Sequence, residues 1–313
     1  MAEEVTDPPG ELLAPLSNGI TLAYETFGDP ADPPLLLIQG LGMQMLGWPE
    51  EFCEQLAAEG FHVVRYDNRD VGHSTHLDSV RAPGLQQLAT RRFGSDQYSL
   101  ADMAQDASLL LDELDMAPAH VVGVSLGGMI AQTLAARHPD KVRSLTSMLS
   151  NTGHRLKGQP AMAMMRLLLK QAPKEREAYV DHVASVFEAI GSKGLPRDTD
   201  EVRRLAGRSY DRGTDPAGSG RQLGAILRSG NRTSELRRIS APTLVLHGTE
   251  DKLVRPSGGK ATARAIVDAR LEMIEGMGHD LPRAAWPQIV GGIASHARRA
   301  DEATGREPAG RAA

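Results

Sequence analysis

The chain has 313 residues, with 41% hydrophobic and 24% charged side chains, proportions that allow a soluble globule with a sizeable core. A formal net charge of -5 offers neither the basic surface that nucleic acid requires nor a polybasic membrane patch, and no apolar run reaches the roughly 18 residues of a membrane span. One cysteine, Cys53, excludes an intramolecular disulfide, and the acidic N-terminus M-A-E-E-V-T-D-P-P-G lacks the apolar stretch of a secretory signal, so a cytoplasmic location is expected.

Residues 1–10 and 299–313 are polar, contain Gly and Pro, and are expected to be disordered tails. Residues 11–28 predict a β-hairpin around the turn S-N-G. P-L-L-L-I-Q-G follows, a short apolar run that suits a strand buried on both faces. A helix is expected at about residues 48–59, with Cys53 on its half-buried face, and then a second buried strand, F-H-V-V-R-Y-D. Ser99 and Asp102 form a capping-box pattern at the start of a helix through L-L-L-D-E-L. The strand H-V-V-G-V leads to Ser125, the helix L-G-G-M-I-A-Q-T-L-A-A-R-H follows, and then the strand V-R-S-L-T-S-M-L. Near the C-terminus come the strand P-T-L-V-L-H-G, a helix at about 258–268, the strand R-L-E-M-I-E-G and a last helix at about 283–298. Strands alternating with helices predict an α/β fold with a mostly parallel sheet covered on both faces. Residues 152–238 break this rhythm with helical patterns and no strand. They are read as a helical lid inserted into a core made of residues 11–151 and 239–298. Met162, Met164 and Met165 in that lid fit lid core, with an adaptable apolar lining for a ligand as the alternative.

V-V-G-V-S-L-G-G-M-I places one serine between a β-branched run and an apolar helix, with Gly123 and Gly127 two residues to either side. Small residues at those places are required where the backbone turns too sharply for side chains, which is the geometry of a nucleophile elbow. The same letters also fit an ordinary strand–helix turn, so the rest of the chain decides. A serine alcohol needs a base. Of ten histidines, His279 stands out: it lies in E-G-M-G-H-D-L-P, after the last predicted strand and before the last helix. The segment L-V-L-H-G-T-E-D-K-L-V-R-P after the preceding strand supplies an orienting carboxylate, Asp251 in preference to Glu250. His247 is assigned to supporting that acid loop, and Asp280 is too close to His279 in sequence to meet its ring. The order Ser125, Asp251, His279 is that of α/β-hydrolases. Two backbone N–H groups are expected to hold an oxyanion: Leu126, which opens a helix, and Leu41 in the loop I-Q-G-L-G-M-Q-M-L-G-W.

From about residue 11 to 298 the chain resembles the α/β-hydrolases. The loop I-Q-G-L-G-M-Q-M-L-G-W-P-E-E-F, the segment V-V-R-Y-D-N-R-D-V-G-H-S-T, the elbow G-V-S-L-G-G and the ending G-M-G-H-D-L-P resemble the bacterial esterase branch that includes aclacinomycin methylesterase. The resemblance implies the same roles for Ser125, Asp251 and His279, with oxyanion donors on Leu41 and Leu126. Gln39 departs from the His usual in the broader superfamily before the first loop glycine. Asp67 and Arg69 match a superfamily segment and are expected to brace the loop. The lid matches poorly, so the methylesterase substrate is not carried over. The expected activity is cleavage of small apolar or aromatic carboxylic esters through an acyl-enzyme, with no cofactor and no metal. Lactonase, C–C bond hydrolase and cofactor-free perhydrolase chemistry would use the same three residues, and a non-catalytic small-molecule receptor is a reading from a different class. The oligomeric state is unreadable from the sequence.

Overall fold

The computed structural model describes residues 10–161, 164 and 172–305. Eight strands form one sheet: β1 (Leu12–Pro15), β2 (Thr21–Phe27), β3 (Pro34–Ile38), β4 (His62–Tyr66), β5 (Ala119–Val124), β6 (Val142–Met148), β7 (Thr243–Gly248) and β8 (Arg270–Ile274). Their spatial order is β1-β2-β4-β3-β5-β6-β7-β8. The first two pairings are antiparallel and the remaining five are parallel. The predicted hairpin forms at the antiparallel edge. Gly19 turns at φ 84°, and Asn18 Oδ1 accepts the Ile20 N–H at 3.1 Å.

The unbroken apolar run of β3 has the expected cause. Leu35 and Leu37 point into one core layer, with Phe52 and Leu56 of α1 (Glu50–Ala58) and Ile289 and Ile293 of the C-terminal helix. Leu36 and Ile38 point into the other, with residues of α3 (Leu100–Glu113) and α4 (Leu126–Arg137). A short helix absent from the sequence reading, α2 (Leu85–Thr90), precedes α3. The Ser99–Asp102 capping box is present, with Asp102 Oδ2 accepting the Ser99 N–H at 2.7 Å. Cys53 is fully buried rather than half-buried, and burial pushes its thiol up to about 12, which leaves it protonated and inert.

Between β6 and β7 lies the helical insertion, with α5 (Arg176–Ile190), α6 (Thr199–Asp211) and α7 (Pro216–Ser229), followed by the single turn α8 (Thr233–Leu236). Met162 and Met165 lie outside the described residues. The chain leaves and re-enters the core at one point. The Arg232 N–H donates to Thr152 C=O at 2.8 Å, and the buried Arg232 guanidinium reaches the carbonyls of Met129 and Asn151 and the side chain of Gln132. Helix α9 (Ser257–Ala265) joins β7 to β8. The last helix, α10 (Trp286–Ala303), begins after a 3₁₀ turn at Arg283–Ala285. It runs past residue 298 because Ala300 and Asp301 are buried against the core. No helix among the described residues is long and apolar enough to cross a membrane.

Candidate active site

Parallel strands place all their carboxyl ends along one edge of the sheet, and ligand sites in such sheets form beyond that edge. Four loops meet there, after β3, β5, β7 and β8. Strand β5 lies beside β3, so the loop that carries Leu41 and the turn that carries Ser125 are neighbours.

Ser125 has φ 56° and ψ -115° and precedes α4 directly. Its N–H donates to Met148 C=O at 2.9 Å, and its own C=O accepts from Ser150 Oγ at 2.8 Å. The flanking glycines are steric requirements. A Cβ on Gly123 would sit 2.2 Å from the Gly127 carbonyl oxygen, and one on Gly127 would sit 2.0 Å from that of Ile38. Helix α4 is therefore pressed against β3 and β5 closely enough to hold the serine proud of both.

The His279 ring bridges two groups: Nδ1 lies 2.7 Å from Asp251 Oδ2, and Nε2 lies 3.0 Å from Ser125 Oγ. Asp251 is buried, and its other oxygen accepts the N–H groups of Leu253 at 2.9 Å and Val254 at 2.8 Å. Both oxygens are thus committed, and the carboxylate cannot rotate away from the ring. With Asp251 accepting, Nδ1 carries the ring proton and Nε2 presents a lone pair to the serine hydroxyl. Of the two acids weighed for that place, Asp251 lies against the ring and Glu250 is exposed. His247 Nε2 donates to Val254 C=O at 2.7 Å, and its ring lies behind Asp251. Burial lowers the His247 pKa below its ordinary value, so it packs there neutral, as a support for the acid loop.

Asp280 faces away from the His279 ring. Its carboxylate accepts Ser192 N–H at 3.0 Å and Ser192 Oγ–H at 2.5 Å, and Ser192 Oγ in turn accepts the Gly278 N–H at 2.9 Å. The His279 N–H donates to Ile190 C=O at 2.8 Å. The loop bearing the histidine is therefore docked onto the insertion just beyond α5.

The Leu126 N–H is the first of α4 and has no acceptor within the helix. Around Leu41, the Gly40 N–H is taken by Gln39 Oε1 at 2.7 Å and the Gly42 N–H by Gln222 Oε1 at 2.8 Å. The departure at Gln39 thus leaves the backbone of the loop in place and adds a local bond to it. Asp67 braces the loop as expected, accepting the Met45 N–H at 2.6 Å. Arg69 does not. Its guanidinium is drawn to the buried Asp106 carboxylate of α3 at 2.5 and 2.6 Å, so it ties the segment after β4 to that helix instead.

A cavity of about 200 Å³ lies beside Leu41, between Leu41, Gly42 and Met43 on the core side and Tyr179, Val183 and Phe187 on α5; Ser125, Asp251 and His279 are not among its lining residues. Its walls are mostly apolar and aromatic. Among the described residues one group of ligand-type side chains lies close enough to share a cation: Asp70, His76 and Asp215. The Arg221 guanidinium already binds both carboxylates there, at 2.7 and 2.8 Å, so the cluster is a partly buried ion-pair network.

The alpha/beta hydrolase fold family model matches residues 33–282, and the chain belongs to that family. The rhodomycin D methylesterase DauP of Streptomyces sp. (strain C5) is 33% identical, over 90% of this chain and 96% of the relative. The rhodomycin D methylesterase DnrP of Streptomyces peucetius is 32% identical, over 91% and 97%. A thermophilic esterase from Thermogutta terrifontis shares the fold, with a TM-score of 0.69 and 22% identity, covering 93% of this chain and 98% of that one.

Several contacts of the site were not readable in the sequence. Gln222, Ser192 and Ile190 reach it from the insertion, and Gln222 is 180 residues away from its partner Gly42. A buried polar residue on a helix is the one available signal, and it does not name the partner.

Proposed function

We propose that the protein is a serine carboxylic-ester hydrolase that works through an acyl-enzyme. The observation that carries the reading is the His279 ring, in hydrogen-bond range of both Asp251 and Ser125. As the Ser125 oxygen bonds to the ester carbonyl carbon, His279 Nε2 takes the hydroxyl proton. Asp251, fixed by two backbone N–H groups, holds the ring and stabilises its cationic form. The carbonyl oxygen becomes an oxyanion between the N–H groups of Leu41 and Leu126. Collapse breaks the bond to the alkoxy oxygen, which leaves as the alcohol with the proton from Nε2. Water then repeats the sequence on the acyl-serine, giving the carboxylic acid and free Ser125.

The cavity beside Leu41 supports an apolar or aromatic acyl portion. Two relatives at about one-third identity carry the name of methylesterases, which favours methanol as the leaving group. No step in this sequence calls for a metal or a cofactor.

The test is hydrolysis of p-nitrophenyl esters of graded acyl length, and of methyl esters of aromatic acids, by wild type and Ser125→Ala. The expected result is turnover that falls roughly 10⁴-fold or more in the variant. A folded Ser125→Ala protein that keeps wild-type turnover would sink the reading.

A further inference from the structure

The turn that carries the Leu41 N–H is held at three points. The peptide unit bearing that N–H also bears the Gly40 carbonyl, which closes the turn by accepting the Met43 N–H at 3.2 Å. Gln39 Oε1 holds the Gly40 N–H on one side. On the other side the chain turns through Gly42 at φ 65°, and the Gly42 N–H points out of the core towards α7. There it meets Gln222, which is completely buried. Gln222 Oε1 accepts the Gly42 N–H, and Gln222 Nε2 donates to Arg69 C=O, both at 2.8 Å. The two partners settle the orientation of the carboxamide, because an N–H needs its oxygen and a carbonyl needs its NH₂ group.

Resting on the hydrolase reading above, we infer that Gln222 is a positioning residue for the reaction: from the helical insertion it sets the oxyanion donor Leu41. The helical insertion is then part of the catalytic frame as well as a wall of the cavity. A second strut runs parallel to it. Gln44 Nε2 donates to the carbonyls of Ser209 and Gly213, and Arg212 joins Gln44 Oε1 at 2.6 Å to Asp67 Oδ2 at 2.8 Å. That strut holds the far end of the loop near Met45, four residues beyond Leu41, and leaves the Gly42 corner to Gln222 alone. Without Gln222 the half-buried Gly42 N–H loses its protein acceptor, and nothing else among the described residues of the insertion holds that corner of the turn. Gln222 does not itself line the cavity, so its effect on a bound substrate passes through the turn at Leu41 and Gly42.

The experiment compares wild type, Gln222→Met and Gln222→Glu on the best ester of the panel. Met fills the same space with no donor or acceptor. Glu keeps the acceptor for Gly42 and loses the donor to Arg69. The expected result is a kcat lowered about 10- to 100-fold in Gln222→Met, with KM changed by a clearly smaller factor than kcat, and a smaller loss in Gln222→Glu. Inhibition by phenylboronic acid, whose serine adduct carries an oxygen into the oxyanion position, should weaken by the same factor as kcat/KM falls. A soluble Gln222→Met with wild-type kcat, or with KM alone raised, overturns the inference. So does failure of both variants to fold, which would make Gln222 a residue of stability. If Ser125→Ala is as active as wild type, it is the hydrolase reading that fails.

Discussion

Ser125 sits at a positive φ, a conformation that costs a residue with a side chain about 1–3 kcal/mol, so its surroundings must hold it there. They do so by removing room. Gly127 brings α4 so close to β3 that an added methyl would meet three backbone atoms, the Ile38 carbonyl at 2.0 and 2.5 Å and the Gln39 oxygen at 2.7 Å. Backbone cannot swing aside as a flexible side chain can. Gly127→Ala should therefore destabilise the fold by about 1–3 kcal/mol and lower activity, because the strand end it pushes leads directly into the Leu41 loop. Gly291, exposed in mid-helix with nothing within 4 Å of a Cβ, is the matched control. Gly291→Ala should raise stability by about 0.5–1 kcal/mol and leave turnover alone. Urea midpoints and ester hydrolysis of the two variants check this, and a Gly127→Ala protein as stable and active as wild type would show that α4 has room to move.

Elements and their loops divide the site in a way that explains how much of it was legible beforehand. Ser125 and Asp251 follow the apolar strands H-V-V-G-V and P-T-L-V-L-H-G, and His279 follows the more polar R-L-E-M-I-E-G, so local pattern put each of them just past a strand end. The capping box at Ser99 is local in the same sense. What local pattern could not reach is the docking of the insertion, because its bonds join residues far apart in sequence. The partners of Asp280 show the point: adjacency to His279 ruled it out as the orienting acid, yet nothing in the sequence linked it to Ser192. Arg69 shows the converse, a residue assigned to the Leu41 loop that prefers the full carboxylate of Asp106 on α3. The Ser192–Asp280 contact makes a prediction of its own. Asp280→Ala removes the acceptor for two Ser192 donors and frees the loop that presents His279. Loss of a charged acceptor from two hydrogen bonds should cost about 2 kcal/mol. Because the His279 N–H to Ile190 remains, kcat/KM should fall by about tenfold rather than vanish. Thermal melts and steady-state kinetics of the variant measure both, and unchanged values in both would show that the loop is held without Asp280.

Across the whole molecule, the last helix closes the fold by packing against the sheet between β6 and β7, and its polar anchor there makes stability depend on pH. His296 is buried on α10, and its Nε2 lies 3.2 Å from Leu145 C=O and 3.1 Å from Pro242 C=O. Burial pushes its pKa down to about 4, from the ordinary value of 6.5. The folded ring is therefore neutral at pH values where the unfolded one is already charged. Between about pH 6.5 and 4 the unfolded state binds more protons, so stability is complete above that window and is lost as pH falls through it. A shift of this size corresponds to something on the order of 3 kcal/mol at the acid end. Burial lowers the His247 pKa in the same direction, so the acid loop and the last helix weaken together. Carboxylates add their own acid dependence, which a single denaturation curve would not separate. His296→Gln separates it, since the carboxamide can still donate to the two carbonyls and carries no titrating proton. The variant should lose about 2 kcal/mol less than wild type between pH 7 and pH 4.5, read from urea midpoints at each pH. Parallel losses would mean that the ring is hydrated and titrates normally in the folded protein, and that α10 is held by its apolar face alone.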